Sequence, residues 1–338
     1  MSGQPALPLV SVIVAMRNEE GFIEKCLDSL GQQDYPQELL EILVIDGRST
    51  DSSREVVGAK QRSMPHLSLL DNERRVSPVA FNIGIRQARG EILTIISAHS
   101  YLAPDYVSRC VEYLTKTDAD CVGGPIETVG ETDTARAIAL AMSSPFGVGD
   151  ALFRYSQQET YVDSLAFGAY RREVFQRVGL FDEELVGSED DEFNYRLRSQ
   201  GGKLLLTPAI RSFYHGRSSF GALCRQYFRY GLGKMRVLAK HPRLVRLRHL
   251  IPALFVLALA LLALLSLVHP FFALLLAIVV GSYLIVSLLV SFRIASRHGW
   301  RFLLLLPLAF ACLHLAYGTG FLLGIPRFVA YRFRGAQS

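Results

Sequence analysis

Four consecutive carboxylates, Glu189-Asp190-Asp191-Glu192, open a predicted helix directly behind Ser188, a suitable N-cap. Acids suit the positive end of a helix dipole, yet four together repel one another. At least one of their pKa values must rise unless a cation or basic partner is near, and such an environment yields a general base. An isolated acidic run is most often a solvated helix start. Three other clusters change that reading: Arg17-Asn18-Glu19, Asp46 to Asp51 (Asp-Gly-Arg-Ser-Thr-Asp), and Ser97-Ala98-His99.

The elements that carry these clusters share a pattern. Leu9–Met16, Glu41–Ile45, Leu67–Leu70 and Glu91–Ile96 are short apolar, β-branched runs, each expected to form a buried strand. Between them lie segments of helical spacing, such as Ile23, Leu27 and Leu30, and Val79 to Ala88, closed by Gly90. Alternating strands and helices predict an α/β fold with an open, mostly parallel, Rossmann-like sheet. Ligands of such sheets bind outside the carboxyl ends of the strands. Asn18, Glu19, Asp46, Asp51, Ser97 and His99 all fall on that edge, which points to a nucleotide site. The stretch from Thr128 to Gln158, with Ser143–Gly149 at its centre, is expected to be irregular, as either a lid or slack.

The 338-residue chain has a mean hydropathy of +0.24 and a net charge of +5 that conceals a partition. All 31 acids lie at or before Glu192, against 17 basic residues there, a balance of −14; beyond it stand 19 basic residues and no acid. A basic half leading into apolar runs points to anionic lipid and away from nucleic acid. The five cysteines have no disulfide-like or metal-like spacing. No signal-peptide pattern opens the chain, so the first domain is expected in the cytosol. Phe220–Lys240 pairs an apolar stripe with Arg225, Arg229, Arg236 and Lys240, as a helix in a membrane interface would. Leu250–Val268, Pro270–Phe292 and Phe302–Ile325 carry no formal charge and are each long enough to span a bilayer. The first two form a tight hairpin at His269-Pro270. Pro307, His314, Gly318 and Gly320 suit a broken or re-entrant third segment. Three spans would leave the tail outside, whereas Arg327, Arg332 and Arg334 argue for inside.

These motifs together resemble glycosyltransferase family 2, enzymes of GT-A fold that transfer a sugar from a nucleotide donor with inversion. The resemblance rests on Val14-Ala-Met-Arg-Asn-Glu-Glu20, Ile45-Asp-Gly-Arg-Ser-Thr-Asp51, Phe81-Asn82-Ile83-Gly84-Ile85, Ala88-Arg89-Gly90-Glu91 and the acidic run. It is nearest to membrane glucosyltransferases of succinoglycan-type exopolysaccharide synthesis. The implied organisation is a GT-A domain over 1–215, a basic interfacial segment over 216–249, about three transmembrane helices over 250–326 and a basic tail over 327–338.

The resemblance implies roles by position. Asp190 matches the general base, with Asp191 the competing assignment. Asp46 matches a uracil-binding carboxylate; Asn18, Glu19, Asp51 and Ser97 complete the donor-binding set. Gln226, Arg229 and Tyr230 resemble a Gln-x-x-Arg-Trp motif that meets diphosphate and acceptor, with Tyr230 in place of Trp. His99 would ligate a divalent cation, Mn²⁺ or Mg²⁺, although Ser97 stands where the family carries Asp. The implied partners are a UDP-hexose donor and a polyprenyl-diphosphate-linked saccharide at the cytosolic face of the inner membrane. The alternatives are a processive polysaccharide synthase and a catalytically silent membrane scaffold that binds nucleotide sugar.

Overall fold

The computed structural model describes residues 6–334, with backbone alone for 327–334. The side chains of Arg327, Arg332 and Arg334, and residues 335–338 of the basic tail, lie outside the described residues. The chain divides into two compact units, Met1–Glu127 with Tyr155–His215, and Thr128–Arg154 with Gly216–Ser338.

The first unit begins with β1 (Val10–Met16), α1 (Ile23–Gly31), β2 (Leu40–Asp46), α2 (Ser53–Gln61), β3 (Leu67–Asp71), α3 (Ser77–Gln87) and β4 (Ile92–Ser97). It continues with β5 (Ser100–Leu102), α4 (Tyr106–Lys116), β6 (Cys121–Gly123) and β7 (Ile126–Val129), the last running over the boundary. An eight-stranded sheet has the order β3-β2-β1-β4-β9-β6-β10-β8, where β8 is Thr160–Tyr161, β9 Ala169–Arg171 and β10 Leu204–Leu206. β3, β2, β1 and β4 run parallel; β9 lies antiparallel between β4 and β6. β1 and β2 are buried almost throughout, which is why their sequences are continuous apolar runs without alternation.

Two of the sequence motifs are structural. Glu41, buried in β2, accepts from Ser11 Oγ (2.6 Å), Arg89 N (2.8 Å) and Arg89 Nε (2.6 Å). Burial pushes its pKa up, but the Ser11 and Arg89 bonds outweigh it and hold the carboxyl below its ordinary value. A Cβ on Gly90 would meet Ser11 N at 2.5 Å, so the turn after α3 needs glycine. Asn82 of α3 exchanges two 2.9 Å bonds with the Phe181 backbone, fastening the segment that leads into α8 (Glu189–Ser199). α7 (Arg172–Val178) supplies Phe175, which stacks with Phe181 on Phe193 of α8. β11 (Ser212–His215) pairs antiparallel with β5 in a small second sheet that β7 joins.

The stretch Thr128–Gln158, which belongs to the second unit as far as Arg154, is more ordered than expected. It holds α5 (Asp133–Met142), capped by Thr132, whose hydroxyl accepts from Ala135 N, and the short α6 (Pro145–Val148). Its alanines present little periodic contrast, and Ala137, Ile138, Ala141 and Met142 bury against α12 (Leu305–Arg334). α9 (Phe220–Lys240) runs alongside α12, with Leu223, Met235 and Leu238 buried. α10 (Leu247–Leu265) and α11 (Pro270–His298) form the hairpin. Three helices, Leu247–Leu265, Pro270–His298 and Leu305–Pro326, are long and apolar enough to cross a membrane.

α12 is one continuous helix, unlike the broken segment its composition suggested. Pro307 sits in its first turn, where no helical N–H is lost. Its glycines serve close packing: a Cβ on Gly320 would meet Phe228 O at 2.1 Å, and one on Gly318 would meet Pro252 O at 2.3 Å.

Candidate active site

The strand ends are brought together by register. Met16 of β1 stands opposite Asp46 of β2, Ala15 opposite Ser97 of β4, and Asp46 opposite Asp71 of β3. The loops leaving β1 and β2 are then zipped to each other. Asn18 N donates to Ser49 Oγ (2.9 Å) and Asn18 Oδ1 accepts from Thr50 N (2.8 Å). Glu19 N donates to Ser53 Oγ (2.7 Å). Asn18, Arg48 and Arg75 all adopt left-handed φ angles, of 54°, 55° and 59°; for the two arginines this conformation is strained.

Asp46 is fully buried, and its oxygens are engaged by Ser49 N, Ser49 Oγ (2.6 Å) and Arg54 Nη1 (2.5 Å). Arg54 also donates to Asp71 at 2.6 Å. The hydrogen bonds that Arg54 gives to Asp71 and Asp46 raise its pKa. Asp71, whose side chain is 60% exposed, is the open carboxylate of the pair. Sequence reasoning missed both Arg54 and Asp71. The signal was there, since Asp71 ends its strand as Asp46 does. Asp51 accepts from Ser53 Oγ (2.6 Å), Ser53 N (3.1 Å) and Glu20 N (3.2 Å), and so clasps the two loops. Against the upward effect of desolvation, the bonds from Ser53 hold its pKa low.

At the end of β4, His99 Nδ1 lies 2.8 Å from Glu19 Oε1. The ring stands edge-on to Tyr214, 5.1 Å between centroids. In a neutral ring whose Nδ1–H is given to a carboxylate, Nε2 keeps a lone pair, the state in which histidine binds a metal. Ser97 Oγ is buried and makes no hydrogen bond. Among the described residues no three His, Cys, Asp or Glu side chains group as a metal site.

The four acids of α8 meet four different fates. Glu192 is buried and paired with Arg196 at 2.6 and 2.9 Å, and Arg196 also donates to Val178 O and Leu180 O. Glu189 is buried and raised by desolvation, against which the backbone N–H groups of its own residue, Gly187 and Ser188 act. The Ser188 hydroxyl makes no capping bond. Asp191 accepts from Ser164 Oγ at 3.0 Å. Asn194 reinforces that contact: it is fully buried, accepts from the Tyr170 hydroxyl (3.0 Å) and donates to Leu165 O (2.9 Å). Asp190 is partly exposed, and no hydrogen bond from the described residues reaches its carboxyl. Burial first, then the charges of Glu189 and Asp191, push its pKa well above the usual carboxylate range. A carboxylate so placed, unpartnered and raised, can take a proton from a neutral hydroxyl.

Gln226, Arg229 and Tyr230 belong to α9 in the second unit. Gln226 Nε2 donates to the Tyr230 hydroxyl (2.7 Å), and Arg217 Nε donates to Gln226 Oε1 (3.2 Å). Arg229 is exposed.

Comparison with known proteins follows the same lines. The profile described as Glycosyl transferase family 2 matches residues 11–179. A dolichyl N-acetyl-alpha-D-glucosaminyl phosphate 3-beta-D-2,3-diacetamido-2,3-dideoxy-beta-D-glucuronosyltransferase of Methanococcus voltae is 32% identical over 239 residues, 68% of this chain and 74% of the relative. The succinoglycan biosynthesis protein ExoA of Rhizobium meliloti is 30% identical over 243 residues, 71% of this chain and 73% of the relative. In fold, the chain is similar to the mannosyltransferase PcManGT of Pyrobaculum calidifontis, solved with GDP-Man and Mn²⁺, with a TM-score of 0.58 and 20% identity over 91% of this chain and 86% of that one.

Proposed function

The chain belongs to glycosyltransferase family 2, with a GT-A-like catalytic fold, and from that membership we propose an inverting hexosyltransferase whose acceptor is a polyprenyl-diphosphate-linked saccharide. The observation that carries this reading is Asp190: Ser164 reaches Asp191, Arg196 reaches Glu192 and Glu189 is buried, whereas Asp190 is partly exposed and no hydrogen bond from the described residues reaches its carboxyl. Asp190 accepts the proton of the acceptor hydroxyl while that oxygen bonds to the anomeric carbon of the donor sugar. The bond from that carbon to the nucleoside diphosphate breaks, and the electron pair leaves with the diphosphate. Ser164 donates to Asp191 and Arg196 to Glu192, so both of these neighbours are engaged elsewhere.

The base end of a UDP-hexose would meet Asp71 and Arg54, which the buried Asp46 fixes in place. Asn18 and Asp51 shape the loop that receives the diphosphate. A divalent cation would be held by Nε2 of His99, aimed by Glu19, beside the unbonded Ser97 hydroxyl. When bound, Mn²⁺ or Mg²⁺ supplies positive charge to the departing diphosphate. By their resemblance to the family motif, Gln226 and Arg229 of α9 are the groups we assign to the acceptor and diphosphate. Tyr230 accepts from Gln226 through its hydroxyl.

The catalytic unit would work on the cytosolic face of the inner membrane. Membranes containing the protein, given a panel of radiolabelled nucleotide sugars, should pass label into the lipid-extractable fraction from one UDP-hexose. The product linkage should be of opposite anomeric configuration to the donor. Label only in free sugar, or only in long insoluble polymer, would contradict the reading.

A further inference from the structure

The three apolar helices of the second unit differ in what lies against them. α10 and α11 are largely bare: Leu257, Leu261, Leu264, Leu267, Phe271 and Leu274 are all exposed. Between Arg248 and Arg293 the hairpin contains no charged residue. α12 has a different environment. α5 covers Leu306, Ala309, Phe310 and Leu313, and the Phe146 carbonyl of α6 accepts from His314 Nε2 at 2.8 Å. α9 then follows it for several turns. Gly231 meets Tyr317 and Phe321, Gly320 meets Phe228, and Gly324 meets Leu232 and Met235. The offset between partners stays near constant along both helices, so they lie side by side, running in the same direction.

α9 cannot be a membrane span. Its 21 residues include Arg225, Arg229, Lys234, Arg236 and Lys240. Arg225, Arg229 and Arg236, spaced by four and seven, share one face. All three are exposed, and none pairs with an acid among the described residues. Unpaired arginines through the middle of a helix are not tolerated in hydrocarbon. A helix locked alongside α9 over this length occupies the same depth.

We propose that α12 does not cross the bilayer. The α9–α12 pair lies along the membrane interface, and the α10–α11 hairpin alone crosses. Leu308 and Leu315, seven apart on the exposed face of α12, and the exposed Leu304 just before it, enter the acyl region. The three arginines of α9 meet the phosphates of anionic lipid headgroups. Two crossings return the chain to the side it left, so both ends share a face. The basic residues after Pro326 then fall on the same side as Arg243, Arg246, Arg248, Arg293, Arg297 and Arg301, as the positive-inside rule requires. The crossing pattern is independent of the donor and acceptor proposed above; of the headgroup-facing arginines, Arg229 alone is shared with the acceptor side assigned there.

Epitope tags before Met1 and after Ser338 of the full chain, probed in sealed vesicles of known orientation, test it without any assay of transfer. The expected result is that both tags are reached from one face. H269C, at the hairpin tip, should react with a membrane-impermeant maleimide only from the other face, with the parent protein as the blank. Tags on opposite faces would show that α12 crosses. A tip reached from neither face, or from the face of the tags, would overturn the crossing hairpin. For the headgroup contact, Arg225→Gln with Arg229→Gln and Arg236→Gln should make membrane extraction by salt at least several-fold easier for phosphatidylglycerol-containing vesicles and unchanged for neutral ones. Equal extraction from both would overturn that contact.

Discussion

His99 and Glu19 are joined Nδ1 to Oε1 at 2.8 Å across the ends of β4 and β1, which places the free ring nitrogen of His99 under the control of a carboxylate on a different strand. Glu19→Gln keeps the shape but weakens the acceptor that fixes the tautomer. Mn²⁺ affinity, read by calorimetry in the presence of nucleoside diphosphate, should fall about 10- to 100-fold with the melting temperature little changed. His99→Ala should lose the metal dependence altogether. Unchanged Mn²⁺ titrations for both variants would mean that this pair holds no metal.

Ser97→Asp adds a carboxylate where Ser97 Oγ now makes no hydrogen bond. Mn²⁺ dependence should tighten, with turnover equal or higher. Weaker binding would show that the pocket has no room for a second charged ligand.

Asp46 and Asp71 share Arg54 but differ in exposure, so their loss should read out differently. Asp46→Asn disturbs a buried, charge-assisted contact and should lower stability by about 1–3 kcal/mol. Asp71→Asn should change stability by less than about 0.5 kcal/mol, yet raise the Kd for the nucleotide. Thermal melts and nucleotide binding on both variants separate the two roles. Equal stability losses would contradict the division.

The glycines of the second unit predict packing. Gly320→Ala places a Cβ against Phe228 O and should destabilise the α9–α12 contact by about 1–3 kcal/mol, read as a lower melting temperature in detergent. Gly281→Ala, where a Cβ meets nothing within 4 Å, is the control and should be neutral or slightly stabilising.

The polar edge of the sheet was legible because parallel strands buried on both faces spell out apolar runs, and polar residues must follow where they end. Ala15 facing Ser97 and Met16 facing Asp46 are consequences of that rule. Less legible was anything that depends on a distant partner. Ser164, 27 residues from Asp191, decides which acid stays open, and no local pattern announces it. α5 was hidden by its alanines. In α12 the glycines that mimic helix breakers are contact points, Gly320 for α9 and Gly318 for α10, a distinction visible only once the neighbours are known.

The Asp190 carboxyl carries a pKa raised by burial and by its acidic neighbours, and the sign of the consequence is definite. Only the deprotonated form accepts a proton, so transfer should climb with pH through a midpoint above the usual carboxylate range. A raised carboxylate costs stability nowhere below its unfolded value of about 3.9, and costs it fully above the folded pKa. Asp190→Asn should therefore melt higher than wild type at pH 8, with the difference closing towards pH 4. A gap that does not vary with pH would contradict the assignment.

The most direct test pairs Asp190→Asn with Asp191→Asn, measuring transfer to lipid acceptor and donor binding on the same preparations. Asp190→Asn should lose about 10²-fold or more in transfer with the donor Kd unchanged, because general-base catalysis is removed and the strand ends are untouched. Asp191→Asn should lose less. If Asp191→Asn is the more damaged enzyme while Asp190→Asn still turns over, the base is not Asp190 and the account of this site is wrong.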